Sequence, residues 1–332
     1  NNIESSIPTK DPVYLSCVTM IRRFNSTSPL LFLLLFVVSG ALADLRAQLV
    51  PEPSGPWRTL RTEHFQVHFQ PRAREFAVRA ARIAERVHAE FEPQYRSGAN
   101  NTHITLVTST DVVNAFATPA GLDQIVLFLD NPQVGDFARF DNWAEILIRH
   151  EYAHIITLRQ WGKDQPLLSF LRVVFGVPPN LISPFGMIEG VAVYEESQVT
   201  NKGRVDDPIT RMFVRTAVLE DRYPSLTEIM NGSHRWPFFD LGYRYGGRYN
   251  TYLAETYGKE VLTEYWSSDT APWSVSSRMP RTPGLYRTYV DFREKEETEF
   301  NSELEALRAQ GLTPFERLTE DGYNKSFLYV ND

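Results

Sequence analysis

The stretch RHEYAHIITL, residues 149 to 158, holds two histidines and a glutamate at a spacing that suits metal chemistry. On a helix, residues four apart share a face, so His150 and His154 would present both imidazoles to one tetrahedral ion. Glu151 directly follows the first histidine, within reach of a water molecule activated at that ion. This HExxH arrangement predicts a zinc site with Glu151 as general base. The alternative is a pair of ordinary helix histidines.

A third ligand is needed, because catalytic zinc is usually held by three protein side chains and keeps one position open. The sequence GMIEGVAVYEES places Glu189 near the start of a second helical pattern, followed by Gly190 and Ala192. Small residues there would let the second helix approach the first closely. Glu189 is therefore the predicted third ligand, and a surface carboxylate at a helix end is the alternative. Glu196 is either a hydrogen-bond partner of a ligand histidine or a solvated charge.

These motifs together resemble those of the gluzincin metallopeptidases, in particular the aminopeptidase N-like families of the peptidase MA-type superfamily. In those enzymes a second helix carries E-G-x-A-x-Y-x-E, and its first glutamate, the counterpart of Glu189, completes the zinc site. The enzymes also carry a tyrosine that hydrogen-bonds the tetrahedral intermediate, with Gly three and Leu ten residues on. In GYRYGGRYNTYLAETYG, Tyr243 matches this spacing. Tyr245 is the second candidate, and a packing role is the alternative for Tyr243.

The resemblance implies an α+β fold with a thermolysin-like zinc peptidase domain, in which a small mixed sheet precedes a mainly helical lobe. It also implies Zn²⁺ as cofactor, a peptide or protein as substrate, Glu151 as base and Tyr243 as oxyanion donor. Aminopeptidases of this class carry a G-x-M-E-N stretch that holds the free amine of the substrate, and TPAGLDQIVLFLDNP has no such sequence. This departure favours an endopeptidase that binds an extended peptide by strand addition.

Hydrophobic periodicity predicts the elements that position these motifs. Alternating or short apolar runs predict strands at residues 64 to 69, 103 to 109 and 124 to 130, the last as an edge strand. A long helix follows the first strand, and a capping box of Asn142 and Glu145 is predicted to begin the helix with the zinc motif. Further helices are predicted at residues 186 to 199, 208 to 219, 240 to 257, 259 to 266 and 293 to 310.

The N-terminal 43 residues are predicted to be absent from the mature protein. The first methionine is Met20, and it is followed by two arginines, an apolar run from residue 30 to 38 and a small-residue ALA sequence. These features are typical of a signal peptide at residues 20 to 43 and predict that residues 1 to 19 are non-native upstream sequence. A membrane anchor is the alternative, but the run is short for a bilayer core of about 30 Å. A periplasmic or secreted location, with no stable membrane span, is expected.

The composition is that of a globular protein, with 42% hydrophobic residues, 23% charged residues and a net charge of −7. No run of Lys and Arg is long enough for nucleic-acid binding, so nucleic acid is not expected as a partner. The one cysteine, Cys17, lies in the segment expected to be removed, so no disulfide is expected.

Two domains are predicted after the signal peptide. Residues 44 to 310 are expected to form the peptidase domain. Residues 311 to 332 contain a D-G turn signal before an apolar run, and they resemble the first strand of a Tol-type β-propeller that is truncated here. The missing part of this propeller is a candidate surface for a protein partner.

The sequence leaves two other functions open. A peptidase-like domain could bind peptides or proteins with a structural or vestigial metal, and a zinc hydrolase could act on a non-peptide amide or ester. Fold alone does not separate these, because function depends on the site. A purely structural zinc site would normally close its fourth position with a protein ligand and would need neither Glu151 nor Tyr243. The intact set of residues therefore favours catalysis.

Overall fold

The computed structural model describes residues 55–95, 99, 101–110, 113–130, 136–160, 176–198, 203–234, 237–238 and 240–311. In this part of the chain the fold is α+β, as the sequence predicts, and its elements lie in the compact unit that begins at Trp57. The predicted upstream segment, signal peptide and, beyond Gly311, propeller strand lie outside the described residues. No helix among those described is long and apolar enough to span a membrane.

A five-stranded sheet comes first. Its strands are β1 (Arg58–Arg61), β2 (Phe65–Phe69), β3 (Thr102–Val107), β4 (Asn114–Thr118) and β5 (Gln124–Phe128). Their order is β1-β2-β3-β5-β4; β2, β3 and β5 are parallel, and β1 and β4 pair antiparallel at the two edges. The sequence predicts β2, β3 and β5 but not β1 or β4. The predicted edge position of β5 is wrong, because β5 pairs with β3 on one side and β4 on the other.

One face of the sheet is covered by the long helix α1 (Arg74–Tyr95). Alternate residues of β2, among them Phe65 and Val67, are buried, as is Ile104 of β3. The buried stripe of α1 is rich in small side chains, including Ala77 and Ala84, which let the helix lie close to the strands. Strand alternation and helix periodicity thus produce one shared core.

Seven further helices follow in the described residues: α2 (Trp143–Arg159), α3 (Phe185–Gln198), α4 (Pro208–Leu219), α5 (Leu226–Asn231), α6 (Asp240–Tyr257), α7 (Glu260–Trp266) and α8 (Leu285–Gln310). The predicted bounds of α3, α4, α6 and α7 are confirmed to within a residue. Helix α8 begins earlier than predicted. The predicted capping box does not form: Asn142 makes no side-chain cap bond, and the carboxylate of Glu145 lies 2.8 Å from the guanidinium of Arg86.

Helices α3 and α6 pack backbone to backbone. A Cβ atom on Gly190 would lie 2.5 Å from the carbonyl oxygen of Gly246, and one on Gly246 would lie 2.6 Å from that of Gly186. The side-chain amide of Asn250 donates to the carbonyl of Gly246 at 2.9 Å and to that of Gly186 at 3.3 Å. The sequence predicts that small residues next to Glu189 face the zinc-motif helix. For Gly190 this is wrong, because its close contact is with α6.

Candidate metal centre

The three predicted ligands meet between α2 and α3. Nε2 of His150 lies 3.2 Å from Nε2 of His154, and one carboxylate oxygen of Glu189 lies 3.3 Å from each of them. Tetrahedral coordination with bonds of about 2.0–2.1 Å places neighbouring ligand atoms about 3.3 Å apart. The observed triangle has this size, and two imidazoles with one carboxylate are donors that suit Zn²⁺. These side chains could hold a zinc ion and leave a fourth position open.

Helix α2 holds both histidines rigidly. Almost every residue from Ala144 to Leu158 is buried, so the helix is packed on all sides. The imidazole rings of His150 and His154 lie edge to face, with centroids 4.8 Å apart. Tyr152, between them in sequence, is fully buried and its hydroxyl lies 2.6 Å from Nδ1 of His88 on α1. Rigid packing of this kind keeps the two Nε2 atoms converged.

The buried ion pair of Glu196 and Arg204 contacts His150 at Nδ1, the ring nitrogen that does not face the other ligands. This Nδ1 atom lies 2.9 Å from a carboxylate oxygen of Glu196, whose side chain is fully buried. Both oxygens of Glu196 also accept hydrogen bonds from the guanidinium of Arg204, at 2.8 Å each. A carboxylate on the far nitrogen of a ligand histidine fixes the ring orientation and tautomer. Of the two interpretations that the sequence allows for Glu196, the geometry supports the histidine partner.

The charges of the cluster balance one another. Burial lowers the pKa of His150, but hydrogen bonds to Glu189 and Glu196 outweigh it and raise the pKa to about 9. Burial raises the pKa of Glu189, but the charges and hydrogen bonds of the two histidines hold it well below its usual range. In the metal-free protein, a proton on His150 therefore supplies part of the positive charge that a divalent cation would bring.

Glu151 and Tyr243 line one cavity beside the cluster. Its volume is about 210 Å³, and its lining consists of Asn114, Ala115, Phe137, Leu147, His150, Glu151, Arg204, Asp240, Tyr243 and Arg244. Glu151 is buried, and this desolvation raises its carboxyl pKa in spite of the opposing charges of the nearby histidines. A raised pKa suits a carboxylate that must take up a proton near neutral pH.

Tyr243, on α6, lies against the cluster. Its ring stacks against His150 with centroids 6.0 Å apart, and Phe185 meets it edge-on at 5.8 Å. Burial and the charge of Glu189 raise the pKa of the Tyr243 hydroxyl well above its usual range, so the hydroxyl stays a proton donor. Tyr245 lies elsewhere: its hydroxyl donates to the carbonyl of Phe213 at 3.2 Å within the core. Of the two candidate tyrosines, Tyr243 is the one at the cavity.

Sequence reasoning missed two parts of this site. The first is the edge strand β4, whose residues Asn114 and Ala115 line the cavity. Its sequence, NAFAT, has too little contrast between apolar and polar positions to signal a strand. The second is Arg204, which stands in a loop with no periodic pattern. The one local feature that could have indicated Arg204 is the preceding Gly203, because glycine permits close approach of the backbone to another element.

Comparison with known proteins gives little further information. No family model matches the chain. An uncharacterized protein of Treponema pallidum (strain Nichols) is 26% identical over 213 residues, which is 63% of this chain. The matched region spans only 19% of the length of that protein.

Proposed function

We propose that this chain is a zinc-dependent metallopeptidase of gluzincin type, with a thermolysin-like catalytic domain, that acts as an endopeptidase. The observation that carries the proposal is the triangle of His150, His154 and Glu189, whose sides of 3.2 to 3.3 Å match tetrahedral zinc. Further support comes from Glu151 and Tyr243, because both line the cavity next to that triangle. A structural zinc site would need neither residue.

Each polar group of the site has a task in peptide hydrolysis. Bound zinc would supply a Lewis acid that activates water and polarises the scissile carbonyl. The Glu151 carboxylate accepts a proton from the attacking water and passes it to the leaving amine as the carbon–nitrogen bond breaks. The Tyr243 hydroxyl donates a hydrogen bond to the carbonyl oxygen as negative charge develops there. Glu196 keeps the ring of His150 in place.

The edge strand β4 is the proposed binding surface for the peptide. It pairs with β5 on one side, and its first residues, Asn114 and Ala115, line the cavity. An extended peptide can add to such an edge through main-chain hydrogen bonds, which places a mid-chain peptide bond beside Glu151 without any need for a free terminus. This arrangement supports endopeptidase activity.

The proposal also includes export and a second domain, both of which rest on the sequence. Residues 20 to 43 act as a cleaved signal peptide, and the mature protein is periplasmic or secreted. The sequence of residues 311 to 332 resembles the first strand of a β-propeller, and a domain of that kind would bind a protein partner.

The test is proteolysis of an unfolded, quenched-fluorescent protein by the zinc-loaded chain and by its Glu151→Gln variant. The parent should cleave at internal positions, and Glu151→Gln should retain zinc by elemental analysis while activity falls about 10²- to 10⁴-fold. Glu145→Gln, the same change on the same helix, is the control and should cleave like the parent. If the folded, zinc-loaded parent cleaves nothing, the result would favour a peptide-binding module. Turnover of esters alone would favour a non-peptide hydrolase.

A second variant tests the ligand set. Glu189→Ala removes one corner of the donor triangle and should lose stoichiometric zinc, measured by elemental analysis after dialysis. Zinc retained at the parent level would contradict the role of Glu189 as third ligand.

A further inference from the structure

Arg204 touches both sides of the candidate site. Its Nε and Nη2 atoms donate to the two carboxylate oxygens of Glu196, each at 2.8 Å, and Glu196 lies against the ligand His150. The same guanidinium lies 5.2 Å from the ring centre of Tyr243 and 5.3 Å from that of Phe137. One planar cation therefore contacts the support of a metal ligand and the ring of the oxyanion donor.

The backbone of Arg204 is anchored as firmly as its side chain. Its N–H donates to Glu196 at 3.1 Å, and its carbonyl accepts from the hydroxyl of Thr210 at 2.7 Å. The preceding Gly203 lies so close to α3 that a Cβ atom would stand 2.1 Å from Oγ of Ser197. The loop is thus seated on the end of α3, and the guanidinium has little freedom to move.

We infer that Arg204 is a positioning residue that couples the metal ligand His150 to Tyr243; this inference rests on the proposed function. A guanidinium makes two bonds in one plane, so it fixes the plane of the Glu196 carboxylate and, through it, the ring of His150. Nη2 of Arg204 also lies 3.0 Å from Nδ1 of His150, so the guanidinium packs directly against that ring as well. Its face also attracts the π-face of Tyr243, which holds the hydroxyl at the cavity. A lysine ammonium cannot make both contacts in this fixed geometry.

The protein contains a matched control. Arg248 donates to Glu296 through Nε at 2.7 Å and Nη2 at 2.8 Å, and its guanidinium lies 5.1 Å from the ring centre of Phe300. This is also a buried, two-bond pair packed on an aromatic ring, and neither Glu296 nor Phe300 lines the candidate site. Nη1 of Arg248 also donates to the carbonyl of Val205 at 3.2 Å and to Asp206 at 2.8 Å, so the Arg248 variants also test whether loosening the segment next to Arg204 is enough to disturb the site. If the Arg204 variants acted only by lowering fold stability, the Arg248 variants should show the same effects.

The first experiment measures zinc affinity and the environment of Tyr243, without relying on catalysis. Arg204→Gln, Arg204→Lys, Arg248→Gln and Arg248→Lys are compared by zinc competition with a chromophoric chelator. The proteins are also labelled with 3-fluorotyrosine, and the ¹⁹F resonance that disappears in Tyr243→Phe identifies that ring. Both Arg204 variants should bind zinc about 10- to 100-fold more weakly and shift this resonance. Both Arg248 variants should leave zinc affinity within about twofold and the resonance in place.

The second experiment is a double-mutant cycle on peptide hydrolysis at saturating zinc. If Arg204 positions Tyr243, Tyr243→Phe should cost at least tenfold less in kcat in the Arg204→Gln background than in the parent, while the Arg248→Gln background leaves its cost unchanged. If the Arg204→Gln protein does not fold, the cycle is measured in the Arg204→Lys background instead.

The outcomes separate this inference from the proposed function. A parent that binds zinc but hydrolyses no peptide would refute the function, while weakened zinc and a shifted Tyr243 resonance in the Arg204 variants would still establish the coupling. An active parent whose Arg204 variants match the Arg248 variants in zinc affinity and resonance would overturn the coupling and leave the function intact.

Discussion

The packing of α3 on α6 makes Gly190→Ala a sharp test of how the site is positioned. The added Cβ would lie 2.3 Å from the amide nitrogen of Asn250 and 2.5 Å from the carbonyl oxygen of Gly246, where ordinary contacts begin at 3.4 Å. The two helices must therefore separate locally by about 0.9 Å, since neither neighbour in the contact is free to rotate away. Glu189 is next to the altered residue on α3, and Tyr243 lies on α6.

The expected magnitudes follow from that displacement. Replacing glycine by alanine within a helix stabilises it by about 1 kcal/mol through conformational entropy. Overpacking of a tight interface costs about 1–3 kcal/mol, and short contacts with backbone place this site near the upper value. The net loss should be about 2 kcal/mol, a fall in Tm of about 4–8 °C. Because metal–ligand distances tolerate changes of only about 0.2 Å, a displaced Glu189 should bind zinc more weakly. Misplacement of the catalytic groups by about 1 Å should lower activity about 10²-fold.

Thermal denaturation of the zinc-free protein, zinc competition and peptide hydrolysis measure these three effects. The series Gly190→Ala, Gly190→Ser and Gly190→Val should show losses that grow with side-chain volume. The sign of the alanine effect is decisive, because helix propensity alone predicts stabilisation. A Gly190→Ala protein that is more stable than the parent and binds zinc equally well would refute the close-packing account.

Three further outcomes are expected. Tyr243→Phe should lower kcat about 10²- to 10³-fold with zinc content unchanged, whereas Tyr245→Phe should lower only Tm; the reverse pattern would transfer the donor role to Tyr245. Glu196→Gln should weaken zinc binding about 10- to 100-fold in chelator competition, and unchanged affinity would show that His150 needs no carboxylate partner. The pKa of His150 is raised from 6.5 to about 9 in the folded, zinc-free protein, so its contribution to stability is complete below pH 6.5 and is lost as the pH rises through 9. Zinc needs the neutral ring, so the increase in Tm caused by zinc should grow between pH 6.5 and 9, and a constant increase would contradict the shift.

What could be predicted from the sequence is what depends on short-range periodicity. His150 and His154 share a helix face because of their spacing, and α4 and α6 follow from their apolar stripes. The failed capping box shows the limit of such rules. Asn142 and Glu145 have the right spacing, but the carboxylate pairs with Arg86, which only the docking of α1 on α2 brings near.

The remaining parts of the site depend on long-range packing. Arg204 reaches Tyr243 because Gly203 and Arg204 lie against α3, and no local pattern encodes that contact. The edge position of β4 depends on where a later strand pairs: β5 lies between β3 and β4, although it follows both in sequence. The Pro and Gly residues on either side of β5 predict where the strand ends, but they do not indicate which strands pair with it.

The order of the site residues along the chain has a consequence for biosynthesis. A ribosome would deliver the zinc-motif helix first, then Glu189, then Gly203 and Arg204, and the helix with Tyr243 only afterwards. Because Gly190 packs against α6, and α6 also comes close to Gly186, α3 reaches its final position only once α6 has docked, and Glu189 reaches its place in the donor triangle with it. Under the proposed function, a growing or still unfolded chain would therefore carry the pieces of a peptidase without its activity, and would be unable to cut itself or its neighbours during synthesis and export.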